Sequence, residues 1–198
     1  MCYTPDSAEA LITTLKNRHR VLLAQRPDKN PGTFKEKANK AGSTHFVKPD
    51  QVEGTLVQGF DIYKVVPEGI KKALFIHFMI SECHPFDDGN GRLSRIMMNA
   101  ELVTNDLHKI IVPTVTRENY LNGMRQATRQ NAFRAMVKVL HQLYHYTASI
   151  NWSDYGEARK ALEHDAADKE ADEGLHIFNK RLSQYRDEYP VDLIKKNN

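Results

Sequence analysis

Apolar residues recur along this chain mostly at helical spacing. Leu11, Leu15, His19 and Leu22 step along one face, which predicts an amphipathic helix over about residues 7–24. Pro27, Asn30, Pro31 and Gly32 then mark a loop. The segment Thr44-His45-Phe46-Val47-Lys48-Pro49 is rich in β-branched and aromatic residues, and Pro49 restricts it to an edge or hairpin position. A helix follows from about Gln51 to Val65 and breaks at Pro67. Ile70 to Cys83 is apolar on nearly every side, the pattern of a central buried helix, and it should stop near His84 because Pro85 disfavours helical backbone in the residue before it. Leu93, Ile96, Met97 and Ala100 restart the helical period, and Asn119–Gln130 and Phe133–Tyr146 read as two more helices. A charged helical stretch over about 153–189 closes on Leu175, Phe178, Leu182 and Tyr185. The pattern as a whole describes an all-α chain with one small hairpin.

Composition narrows this picture. With 198 residues, 40% of them hydrophobic, the chain can bury a real core, which argues against disorder. We read residues 1–150 as one domain, with its core at about 8–147, and 151–198 as a charged appendage with a regulatory or dimerising role. The longest apolar run, Ala73–Ile80, is too short for a membrane span and contains His77, and the first ten residues lack the basic start and apolar stretch of a secretory signal. Two cysteines, Cys2 and Cys83, suit a reducing, cytoplasmic setting better than a disulfide scaffold. Charge is uneven: residues 153–198 carry 8 basic and 11 acidic side chains, whereas 1–152 carry 20 basic and 14 acidic. That excess favours anionic ligands such as nucleotides, and no nucleic-acid-binding module accompanies it.

The chemistry concentrates in His84-Pro85-Phe86-Asp87-Asp88-Gly89-Asn90-Gly91-Arg92-Leu93-Ser94-Arg95. A glycine-rich turn entering a helix aims several backbone N–H groups at one place, which makes an anion site. Arg92 and Arg95, three apart, share a face beside it, and two guanidinium forks suit a polyphosphate. Asp88 offers a hard oxygen of the kind Mg²⁺ on a nucleotide needs, and His84 can take up a proton near neutral pH. A capped helix corner would account for a lone histidine or a lone Gly-x-Gly. Base, metal ligand, phosphate nest and two arginines together describe phosphoryl or nucleotidyl transfer. His141 and His145 also stand at ligand spacing, but Gln142 follows the first where zinc proteases carry Glu, so both read as packing or surface residues.

This stretch resembles, without a departure, the signature His-Pro-Phe-x-Asp/Glu-Gly-Asn-Gly-Arg-x-x-Arg of the Fic (filamentation induced by cAMP) family. Weaker resemblance covers roughly residues 8–147: Asn30-Pro31-Gly32-Thr33-Phe34-Lys35 is similar to a Pro-Gly-x-aromatic-basic segment, Phe46-Val47-Lys48-Pro49 to a target-binding flap, and Glu118-Asn119-Tyr120-Leu121 to a helix bordering the nucleotide. The resemblance implies a Fic-type helical bundle with a hairpin flap near the active site. It also implies AMP transfer from ATP to a Tyr, Thr or Ser hydroxyl of a target protein. His84 would be the general base, Asp88 the Mg²⁺ ligand, and Gly89, Asn90 and Gly91 the phosphate cradle. Arg92 would contact the β-phosphate side and Arg95 the γ-phosphate, while Phe86 would anchor the loop in the core. Thr44, His45, Phe46, Val47 and Lys48 would grip the target along a strand edge. Gly91 matters for subclass, because death-on-curing toxins place Lys there and phosphorylate.

The resemblance leaves three matters open. The motif binds phosphates and not bases, so transfer of another nucleotide or phosphodiester group stands as an alternative, as does a nucleotide-binding regulatory member of a toxin–antitoxin pair. An antitoxin or a second copy of the chain are the further partners to consider. Many Fic proteins carry an inhibitory helix reading Ser/Thr-x-x-x-Glu-Gly/Asn; here Glu173-Gly174 follows Lys169 instead of Ser/Thr, and Ser153 with Glu157 is followed by Ala158.

Overall fold

The computed structural model describes residues 3–185, which form two compact units that divide between Leu107 and His108. Among the described residues there are eight α-helices and a single two-stranded sheet. In the first unit these are α1 (Ala8–Leu22), β1 (Lys40–Ala41), β2 (Thr44–His45), α2 (Val52–Val65), α3 (Ile70–Cys83) and α4 (Asn90–Thr104). Ser7 starts α1 by accepting the Ala10 N–H at 3.1 Å, as an N-cap serine does. The expected face of α1 is the one it buries: Leu11, Leu15 and His19 all lie inside. Leu11 and Leu15 pack with Leu56 and Phe60 of α2, Ile76 and Ile80 of α3, and Leu93 and Met97 of α4 in one apolar core. The central helix α3 buries seven of its side chains and ends at Cys83, one residue before the one that Pro85 constrains. Gly59 lets α2 approach Met79 of α3 more closely than any Cβ would allow.

The hairpin is shorter than its sequence suggests. Lys40 pairs with His45 and Ala41 with Thr44, antiparallel, around Gly42 and Ser43. Phe46 continues the pairing with one bond to the Asn39 carbonyl at 3.3 Å, and Pro49 then opens a short 3₁₀ turn into α2. The strand thus ends at His45, three residues short of the Pro49 boundary that the sequence suggested, and covers only two residues.

The second unit contains α5 (Arg117–Gln130), α6 (Arg134–Ala148), α7 (Tyr155–His164) and α8 (Ala171–Leu182). The region expected as one charged helical stretch is two helices. Ala166, in left-handed backbone, turns the chain between them, and the expected residues 186–189 lie outside the described ones. Gly123 brings α5 against the backbone of Met136, and Phe178 of α8 meets Tyr146 of α6 edge to face at 4.7 Å. Trp152 stays half-exposed and donates its indole N–H to the Thr147 carbonyl, so it fastens the end of α6. His141 and His145 bond each other, Nε2 to Nε2 at 3.2 Å. No helix among the described residues is long and apolar enough to cross a membrane.

Candidate active site

The twelve-residue motif forms the end of α3, a tight loop and the start of α4. His84 caps α3 in left-handed backbone (φ 48°), a conformation that costs a non-glycine residue about 1–2 kcal/mol. Its Nδ1 lies 3.1 Å from the Ser81 carbonyl. A carbonyl only accepts, so Nδ1 carries the proton and Nε2 keeps its lone pair. Phe46 from the hairpin stacks flat on the imidazole, with ring centroids 3.7 Å apart and planes 6° from parallel. Burial holds the His84 pKa below its ordinary value; the Lys35 ammonium adds to this, while the Ser81 carbonyl and the Asp88 carboxylate oppose it. The imidazole is therefore neutral at pH 7 and able to accept a proton at Nε2.

The loop is held by side chains bonded to its backbone. Asn90 accepts the Phe86 N–H at 2.9 Å and donates to the Phe86 carbonyl at 2.7 Å, closing the turn on itself. Asn39 donates to the Phe86 carbonyl at 3.0 Å, and the buried Lys35 ammonium reaches Asn39 at 2.7 Å and the Cys83 carbonyl at 3.4 Å. The Lys35 N–H bonds the Pro85 carbonyl at 2.9 Å, and burial lowers the lysine's pKa. Phe86 is fully buried between His19, stacked at 3.8 Å, and Phe34 at 5.2 Å, which makes it the expected anchor. Gly89 takes φ +78°, where a Cβ would also press on Leu23.

Beyond the loop, α4 begins with the N–H groups of its first turn pointing out of the helix, unmatched by any intrahelical acceptor. Gly91 leaves their approach open, and the Arg95 guanidinium lies 3.6 Å from where a Cβ on Gly91 would sit. Arg92 reaches Asp88 at 3.5 Å, both side chains being about half exposed, and Asp88 Oδ1 accepts the Gly89 N–H at 2.6 Å. Ser94 is buried and donates to the Gly91 carbonyl, fixing that first turn. Cys83 donates weakly to the Val52 carbonyl at 3.7 Å, and burial pushes its thiol up to about 12, so the cysteine beside the histidine is inert.

Most residues singled out from sequence thus meet in one place: His84, Asp88, Gly89, Asn90, Gly91, Arg92 and Arg95 share the cap of α3, the loop and the first two turns of α4. The Asn90 side chain is spent on Phe86, which leaves only its backbone N–H for a ligand. Of the flap residues, Thr44 and His45 form the strand, Phe46 covers His84, Val47 packs against the core, and Lys48 precedes the turn at Pro49. Sequence reading missed His19, Lys35 and Asn39 as supports. The signal available for His19 was a polar residue on the apolar face of α1. For Asn39 there was none, because the loop groups its side chain holds are backbone carbonyls more than forty residues away.

The sequence profile of the Fic/DOC family matches residues 11–102. A Fido domain-containing protein of Dictyostelium discoideum is 30% identical over 104 residues, half of this chain and 72% of that protein. The chain belongs to the Fic/DOC family. Protein adenylyltransferase fic-1 of Caenorhabditis briggsae is 25% identical over 123 residues, 60% of this chain but 24% of its own length. This Fic chain thus spans about a quarter of that relative. Among solved structures, Fic-1 (residues 134–508) of Caenorhabditis elegans superposes with a TM-score of 0.58 at 22% identity, covering 77% of this chain and 43% of that one. The bundle and its small hairpin are therefore a Fic fold, as the motif implied.

Proposed function

We propose that this protein transfers AMP from ATP to a Tyr, Thr or Ser hydroxyl of a target protein. The observation that carries the reading is the placement of a neutral His84, its Nε2 lone pair unused by the loop, just before a helix N-terminus flanked by Asp88, Arg92 and Arg95. Nε2 takes the proton of the acceptor hydroxyl as its oxygen bonds to the α-phosphorus. The bond from that phosphorus to the oxygen bridging to the β-phosphate breaks, and pyrophosphate leaves. General-base assistance of this kind is worth roughly 10²–10⁴ in rate. The turn Gly89-Asn90-Gly91, through the N–H groups of Asn90 and Gly91, and the two arginines hold the triphosphate, Arg92 toward the β-phosphate and Arg95 toward the γ-phosphate, while the Gly89 N–H stays on the Asp88 carboxylate.

Asp88 suits Mg²⁺. One half-exposed carboxylate beside a polyphosphate is the donor set this ion uses, because it keeps several waters and takes the rest from phosphate oxygens. Bound there with the nucleotide, Mg²⁺ would offset charge on the leaving pyrophosphate. We place target recognition at β2, where the backbone of Thr44 and His45 would pair with an extended segment of the target. The name protein adenylyltransferase carried by the Caenorhabditis relative, and the glycine at 91, support AMP transfer over phosphorylation. We further read 1–150 as the catalytic domain and 151–198 as its appendage, in a cytoplasmic setting.

Label transfer tests this reading. With Mg²⁺, ATP labelled at the α-phosphate should label a protein in cell lysate, and His84→Ala should abolish it. Label from the γ-phosphate alone would establish a kinase instead. Transfer from UTP but not ATP would keep the chemistry and replace the nucleotide.

A further inference from the structure

The nucleotide site has a support that the motif does not contain. His19 lies on α1, fully buried, 69 residues ahead of the motif residue it meets. Its Nδ1 faces the Gly32 N–H at 2.8 Å, and its Nε2 faces the Asp88 carbonyl at 3.0 Å. An N–H only donates and a carbonyl only accepts, so Nδ1 holds the lone pair and Nε2 the proton. The ring then stacks on Phe86, 10° from parallel. One side chain thereby satisfies both of its polar atoms and fixes two separate backbone segments.

We propose that His19 is a positioning residue for the triphosphate and its metal, acting through the Asp88–Gly89 peptide. This rests on the nucleotide-binding reading above. The carbonyl end of that peptide accepts from His19 Nε2, and its N–H end bonds the Asp88 carboxylate at 2.6 Å. The two ends belong to one rigid plane, so fixing the carbonyl also fixes the direction in which the carboxylate is held. Glycine at 89 leaves that plane rotationally soft, and a hydrogen bond from outside the loop is what removes the freedom. The same plane enters α4, so it also sets the aim of the first-turn N–H groups that face the phosphates.

Two near-isosteric variants separate this role from plain packing. His19→Gln can place an amide N–H where Nε2 is, whereas His19→Asn can place only an acceptor where Nδ1 is; both lose the stack on Phe86. Titration calorimetry with Mg²⁺ and a non-hydrolysable ATP analogue should find H19Q within about threefold of wild type. H19N should bind about tenfold or more weakly, the scale of one lost hydrogen bond at a charged site, and need more Mg²⁺ for half-saturation. Thermal midpoints of the two should be similar. Equal binding by the two variants overturns the proposal. Failure of the wild-type protein to bind the analogue overturns the nucleotide reading itself, and His19's role with it. If neither variant folds, ¹⁵N shifts of wild-type His19 decide: a proton on Nε2 and a response to Mg²⁺–analogue support the role, while a proton on Nδ1 or no response rules it out.

Discussion

The motif loop and the hairpin beside it are built on opposite terms. Around residues 84–90, wholly or partly buried side chains from two other segments (His19 on α1, and Lys35 with Asn39 ahead of β1) and from Asn90 bond to the loop's backbone. The hairpin has two pairs of strand residues, mostly exposed, and one aromatic contact at Phe46. Groups that must meet a reacting phosphorus gain from being held before the substrate arrives, because orientation then costs nothing during the reaction. A strand edge that reads another protein's backbone needs only its own N–H and C=O groups, and tolerates almost any side chain.

Five substitutions would break or sharpen this contrast. The largest effect belongs to His84→Ala, which should lower α-label transfer by roughly 10²–10⁴ or more with little change in thermal midpoint, since the ring contributes one bond to the fold. An intact rate would remove His84 from the chemistry. Next, Asn90→Ala strands the buried N–H of Phe86 and leaves its carbonyl to Asn39 alone; denaturant titration should show a loss of about 1–3 kcal/mol, and a loss under about 0.5 would mean the loop does not depend on that clasp.

A subtler effect concerns pH. Transfer by the wild-type protein should rise with pH through a midpoint below the ordinary histidine value of 6.5 and then stay flat, because the neutral base is the active form and burial favours it. Phe46→Ala uncovers the ring, so the midpoint should move up toward 6.5, which log-rate against pH profiles would resolve. A midpoint that moves down would mean Phe46 does not desolvate His84. The smallest effect is expected for Thr44→Ala and His45→Ala: stability within about 0.5 kcal/mol of wild type, since both are surface positions. Their KM for the target should also barely change if recognition runs through backbone; a severalfold rise would assign the side chains a direct part.

Much of this architecture is legible in the order of residues. The periodicity of α1, α3 and α4 follows from which face each buries, and α3 stops beside Pro85 for a local steric reason. The site's inventory is legible to the same degree, because its base, carboxylate, glycines and arginines are contiguous within twelve residues, although side chains from elsewhere in the chain hold the loop's backbone in place. Less readable were the break between α7 and α8, where an alanine takes left-handed backbone, and the short reach of β2. Neither carries a composition signal, since packing against neighbouring segments decides both.

Sequence alone determined the helical class, the place of the active loop and the chemical inventory within it, because those rest on local spacing and on side-chain type. Only the tertiary structure decided which protonation state His84 holds, since that depends on the Ser81 carbonyl, the Phe46 ring and the buried Lys35 around it. It also decided what the Asn90 side chain does: it clasps Phe86 and leaves the backbone N–H for the phosphate cradle. And it turned His19 from one more position on the buried face of α1 into the group that holds the Asp88 peptide, a contact that exists only when chain segments 69 residues apart are packed together.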